Sequence, residues 1–198
     1  MTLKLITAPA SEPLTLAEAK AQCEVVDSDW DTWFTTAIIV AREMAEHETG
    51  RALVTQTWER TLDGFVNADG AALDAIPLLP PVQSMVQLVY VNTAGAPANL
   101  TETTDYVLDN VRDPGFVVPA YGKAWPDTYA TINAVKVRFV TGYGNAAAVP
   151  AAIKHWMLMQ IGAMFANRES VVMQTGTSPG ELPNRFVERL LDRYRVVS

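Results

Sequence analysis

The stretch AREMAEHETGRALVTQTW, Ala41 to Trp58, changes its period half-way along. Up to Thr49 its apolar residues fall three and four apart, which puts them on one side of an α-helix with the charges opposite. From Leu53 onward Val54, Thr55, Thr57 and Trp58 favour extended chain. Between the two lies Gly50, the residue that most readily takes the left-handed conformation closing a helix. A helical region therefore hands the chain to a β region at Thr49-Gly50-Arg51, and the fold class is α+β.

Towards the N-terminus, Trp30, Trp33, Phe34, Ala37, Ala41, Met44 and Ala45 continue the helical stripe back to Ser28, which is expected to open the helix. Before it, Thr15-Leu16-Ala17-Glu18 has the spacing of a capping box and predicts a short helix from Leu16 to Cys23. Towards the C-terminus, Leu53 to Thr141 reads as β. Its clearest strand is Val135-Lys136-Val137-Arg138-Phe139, apolar on one face and basic on the other. A second strand is expected to bury Val82, Val86, Leu88 and Tyr90 and to end in a hairpin turn at Asn92 to Gly95. Pro77, Pro80 and Pro81 confine their segment to an edge or a connector. After Val149-Pro150 a third main helix is predicted from Ala151 to Arg168, apolar nearly all round, so that it must be covered on several sides. Ser170 to Asn184 reads as a long loop, and a last helix is expected from Pro183 to Tyr194. The expected organisation is a single domain, 1–198, with N-terminal helices in 15–50, a β-rich insertion in 53–145 and C-terminal helices in 150–195, forming a helical bundle.

The 198 residues, 49% hydrophobic and 19% charged, suffice for one full core. A formal charge of -7 argues against a protein that grips nucleic acid by its phosphates. Cys23 is the single cysteine, which leaves no internal disulfide. LKLITAPA is interrupted by Lys4 and Pro9 and is too short for a signal segment, and no apolar run approaches the ~20 residues of a membrane span. The expectation is a chain made and kept in a cytoplasm, without a membrane anchor.

Reactive groupings fail one by one. His47-Glu48 starts like a zinc-protease helix, but the second histidine would stand at position 51, which is Arg51. His47, His155 and Cys23 are too dispersed for a structural zinc site. Glu43, Glu46 and Glu48 read as solvated charge on a helix face. Thr141-Gly142-Tyr143-Gly144-Asn145 lacks the Lys-Ser/Thr of a phosphate loop, and no serine sits in a Gly-x-Ser-x-Gly turn. The expectation is a chain that is not an enzyme and needs no cofactor or metal. Two surfaces remain as candidates. Trp156, Met157, Met159 and Met164 on the apolar helix suit a core or a subunit contact. Arg185, Arg189 and Arg193 form a ridge along the last helix, with Arg195 beyond, and suit a solvated face or an acidic partner.

In order and spacing, the chain resembles the head-tail connector (adaptor) proteins of tailed bacteriophages and of phage-derived gene transfer agents. The resemblance is carried by Leu14-Thr15-Leu16-Ala17-Glu18-Ala19-Lys20, Ala41-Arg42-Glu43, Thr49-Gly50-Arg51-Ala52-Leu53 and Gln56-Thr57-Trp58. It continues with Leu79-Pro80-Pro81-Val82-Gln83-Ser84, Asp105-Tyr106, Trp125-Pro126, Gly142-Tyr143-Gly144, Val149 to Lys154, Asn167-Arg168-Glu169 and Tyr194-Arg195. It implies a structural protein that assembles with copies of itself into a ring, commonly of twelve, below the portal at the head-tail junction of a virion or phage-like particle. Portal protein lies above, stopper or tail-joining proteins below, and DNA passes through the lumen. It places the portal contact on the C-terminal segment, with Arg185, Arg189, Arg193, Tyr194 and Arg195, and carries no catalytic residues. The alternative from the residues alone is a small-molecule-binding protein or small enzyme, with a pocket between the β region and the helices lined by Trp125, Tyr129 and Tyr143.

Overall fold

A computed structural model describes residues 2–67, 70–167 and 184–196; in the last segment the side chains of 184–186 and 188 lie outside the description. The chain is α+β and divides into two compact units, Met1–Ala10 with Thr55–Tyr143, and Ser11–Val54 with Gly144–Ser198.

The first unit is β. Strands β1 (Thr2–Thr7), β2 (Gln56–Leu62), β4 (Val82–Val91), β5 (Pro97–Leu100) and β8 (Val135–Thr141) form an antiparallel sheet in the order β1-β2-β8-β4-β5. Strands β3 (Ile76–Pro77), β6 (Tyr106–Asp109) and β7 (Phe116–Pro119) make a second sheet, β3-β7-β6. Strand β8 alternates as the sequence predicts. Val135, Val137 and Phe139 are fully buried with Leu88, Ile76 and Val117, while Arg138 turns to the other face and binds Glu59 of β2 at 2.7 Å. Pro77 closes the two-residue edge strand β3, as a residue without an N–H should. The hairpin at Asn92 to Gly95 is present, with Gly95 at φ 80°.

Two features of this sheet depart from expectation. Strand β4 carries register shifts between Val82 and Ser84 and between Met85 and Gln87. Each extra residue flips the alternation that follows, so Met85 packs on the core and Val86 is 52% exposed, not buried. Strand β1 has no counterpart in the sequence reading: all six residues are exposed, and its place comes from pairing with β2.

The second unit is helical. Helix α1 (Leu16–Gln22) opens on the expected capping box: the Thr15 amide donates to a Glu18 carboxylate oxygen at 2.7 Å, and the Glu18 amide donates to the Thr15 hydroxyl at 3.2 Å. Helix α2 (Asp31–Thr49) starts later than Ser28 would have set it, with Trp30 at the cap and no capping side chain. Lys20 holds that start instead, bridging the Asp27 carbonyl and the Asp31 carboxylate, each at 2.5 Å. Helix α3 (Ala151–Ala166) follows Pro150 and packs against α1, α2 and α4, as its apolar circumference requires. Its expected last residue, Arg168, and the loop up to Pro183 lie outside the described residues. Helix α4 (Asn184–Asp192) ends two residues before the expected Tyr194, in a turn whose Tyr194 amide donates three residues back to the Leu191 carbonyl at 2.8 Å.

Candidate functional site

The corner that closes α2 is a fastening built almost entirely from its charged residues. Gly50 stands at φ 67°, and the amides of Gly50 and Arg51 both donate to the Glu46 carbonyl, at 2.9 and 3.2 Å. The Glu46 carboxylate accepts from Arg42 at 2.7 Å with one oxygen and from the Leu53 amide at 2.9 Å with the other, so it caps the chain beyond the turn. Arg42 is 7% exposed and lies against three carboxylates, Glu12 at 2.8 Å, Glu46 at 2.7 Å and Glu43 at 3.6 Å. Glu46 is therefore more than solvated charge: with Glu12 it neutralises a guanidinium drawn out of water, whereas the Glu43 side chain stays 66% exposed.

The C-terminal segment ends on this same corner. The Val196 amide donates to the Thr49 carbonyl at 2.9 Å, Arg51 Nε donates to the Tyr194 carbonyl, and Arg195 lies 3.3 Å from Glu48. Of the residues read as a partner strip, Arg189 is exposed on α4, Arg193 is exposed in the turn after it, and the Arg185 side chain lies outside the described residues. Tyr194 and Arg195 serve the corner, and Arg195 also meets Asp192 at 3.6 Å. On α3, Met157 and Trp156 are 0% and 5% exposed within the chain, whereas Met159 and Met164 are half-buried.

Met164 belongs to a surface that sequence reading passed over. Trp30, Trp33, Thr36, Ala37, Val40 and Met164 line an open groove of about 530 Å³ between α2 and α3. The two tryptophans of its lining also belong to an aromatic cluster, in which Phe165 stacks on Phe34 at 5.1 Å and meets Trp30 and Trp33 edge to face at 5.6 and 5.3 Å. Trp30 and Trp33 had been legible only as part of the helical stripe, since which helix faces them is a tertiary fact.

Elsewhere the quoted segments fasten one another. Leu79-Pro80-Pro81 meets Thr141-Gly142: the Thr141 hydroxyl lies 2.7 and 2.9 Å from the Leu79 and Pro81 carbonyls, and the Gly142 amide donates to Pro81 at 2.9 Å. Gln83 donates to the Gly142 carbonyl at 2.7 Å. Trp125 stacks on Phe65 at 4.7 Å inside the β unit, and Tyr129 is half exposed. Among the described residues no group of three or more His, Cys, Asp or Glu is placed to hold a metal, and no helix is long and apolar enough to cross a membrane.

No protein-family model matches the chain, and no curated protein matches it by sequence. Solved structures match it over its whole length. A chain in the virion of a native gene transfer agent (GTA) particle superposes with a TM-score of 0.77 at 19% identity, covering 100% of this chain and 97% of that one. Chains from the neck of an empty GTA particle computed with C6 symmetry and the neck of a native GTA particle computed with C12 symmetry give 0.72 at 20% and 0.68 at 22%, with the same coverage. The fold is that of a GTA particle component. Both units of the chain are included, so the β1 strand, the Gly50 corner and the helices all lie within the matched length.

Proposed function

We propose that the chain is a structural head-tail connector, or adaptor, of a phage-like particle, a ring-forming protein below the portal through which DNA passes and to which stopper or tail proteins attach. The observation that carries this reading is end-to-end likeness in fold to chains of GTA particles, two of them from necks computed with C6 and C12 symmetry. The residues agree with it. A chain of formal charge -7 suits a conduit, because a wall of phosphate-neutralising side chains would hold the DNA that has to slide. Head-to-tail contacts close into rings when their rotation allows, and the half-buried Met159 and Met164 with the adjoining groove offer an apolar surface for such a contact. Arg189 and Arg193, exposed after the last helix begins, are the charges we assign to the portal side. The polar fastenings at the corner are bonded within the chain. Deleting the gene in the producing cell tests the reading: heads filled with DNA but lacking attached tails are expected, and firmly tailed particles would refute it.

A further inference from the structure

The turn after β7 presents a tyrosine to solvent on a fixed base. Ala120 is buried, and its amide donates to the Asp105 carbonyl at 3.0 Å. The Lys123 amide closes the turn on the Ala120 carbonyl at 2.8 Å, with Gly122 at φ 73° in the third position, where a left-handed residue is required. Tyr121, in the second position, is fully exposed. Lys123 is exposed beside it and enters no ion pair among the described residues. A large amphipathic ring is thus held in place by the backbone beneath it while covering nothing in its own chain.

The helical unit offers the opposite shape. Trp30, Trp33, Val40 and Met164 give the groove between α2 and α3 its apolar walls, and the exposed Asp29 adds a carboxylate to the lining. At about 530 Å³ the groove has the size of sites that enclose small organic molecules, which is room for one aromatic side chain and the turn that carries it. Lys20 does not neutralise Asp29, because the Asp27 carbonyl and the Asp31 carboxylate already engage it. The Thr36 hydroxyl, also in the lining, donates to the Thr32 carbonyl at 3.1 Å, so its oxygen is able to accept from a phenol. Apolar walls, a hydroxyl acceptor and an unneutralised carboxylate suit a tyrosine with a lysine close behind it.

We propose that this groove receives the Tyr121-Gly122-Lys123 turn of a second copy of the chain, with the Tyr121 ring between Trp30, Trp33 and Met164 and the Lys123 ammonium against Asp29. The inference deepens the connector reading and rests on it for the ring. Turn and groove are different surfaces, so each copy gives one and receives the other, and contacts of that head-to-tail kind close into rings when their rotation allows. The ring of Tyr121 supplies most of the contact energy, as tyrosines at the centre of interfaces do. The pairing of Lys123 with Asp29 stays near solvent and serves register more than affinity.

The test places photo-cross-linking p-benzoylphenylalanine at Thr32, an exposed residue of the lining, and irradiates producing cells. The expected product joins two copies of the chain, the probe of one attached within residues 113–123 of the other. Its yield should fall about tenfold in Tyr121→Ser and about threefold in Lys123→Asp, and adding Asp29→Lys to Lys123→Asp should restore it. Neither Tyr121→Ser nor Lys123→Asp should lower the Tm of the isolated chain, because both side chains are exposed. No adduct, an adduct with a different protein or with another segment of the chain, a yield indifferent to Tyr121→Ser, a Lys123→Asp loss that Asp29→Lys leaves unrepaired, or a lowered Tm would each overturn the proposal. The gene deletion separates it from the connector reading. Tailless particles on deletion, together with no adduct at 113–123, would overturn this contact alone. Firmly tailed particles on deletion, together with the expected adduct, would overturn the connector reading and leave a contact between copies standing.

Discussion

Gly50 and the capping box were legible because their physics is local. At φ 67° a side chain at position 50 is strained, and its Cβ would also lie 3.5 Å from Val196. Gly50→Ala should therefore destabilise the chain by about 1–2 kcal/mol in urea unfolding, from backbone strain and not from crowding. Thr15→Ala should cost about 1 kcal/mol. Glu18 adds a pH signature: hydrogen bonds from the Thr15 amide and then the Thr15 hydroxyl hold its carboxyl below the ordinary 4.5. A depressed carboxylate contributes stability that is present above 4.5 and is lost as pH falls through the folded value. An NMR titration should find Glu18 below 4.5 and, in Thr15→Ala, only part-way back, since the amide bond survives. Arg42 looks like any other arginine in sequence, and what sets it apart is that carboxylates from distant positions, Glu12 among them, arrive.

At the scale of elements, α3 was recognised from its apolar circumference, but its methionines could not be told apart by periodicity. Met157 is fully buried and Met159 is not. Met157→Ala should cost about 2–5 kcal/mol by calorimetry, whereas half-buried Met159→Ala should cost about 1 kcal/mol and lower incorporation into particles. Arg42→Met should cost about 2 kcal/mol, because the partly buried Glu12 and Glu46 lose the cation that neutralises them, with solvent screening reducing the loss from that of a fully buried pair. Strand β4 was legible as a strand and illegible in register, since a bulge is fixed by the partner strand. Strand β1 was missed altogether because exposed residues with no buried face leave no alternation to read.

For the whole molecule, the connector reading places ring contacts and portal docking in different surfaces. Replacing Arg185, Arg189 and Arg193 with Glu should weaken docking to the portal in a binding assay while leaving the circular dichroism spectrum intact; unchanged docking would remove the arginines from that role. Isolated protein should run as a monomer or small oligomer in native mass spectrometry, and a stable twelve-mer without portal would contradict the view that the portal templates the ring. The sequence by itself determined what depends on neighbours along the chain: the α+β class, the corner at Gly50, the capping box, the hairpin turn and the alternation of β8. Tertiary structure alone decided which of these neighbours meet: the carboxylates around Arg42, the C-terminal segment on the corner, and the aromatic groove. Backbone conformation is set within a few residues, but pairing and desolvation are set by whatever distant segment arrives or fails to arrive.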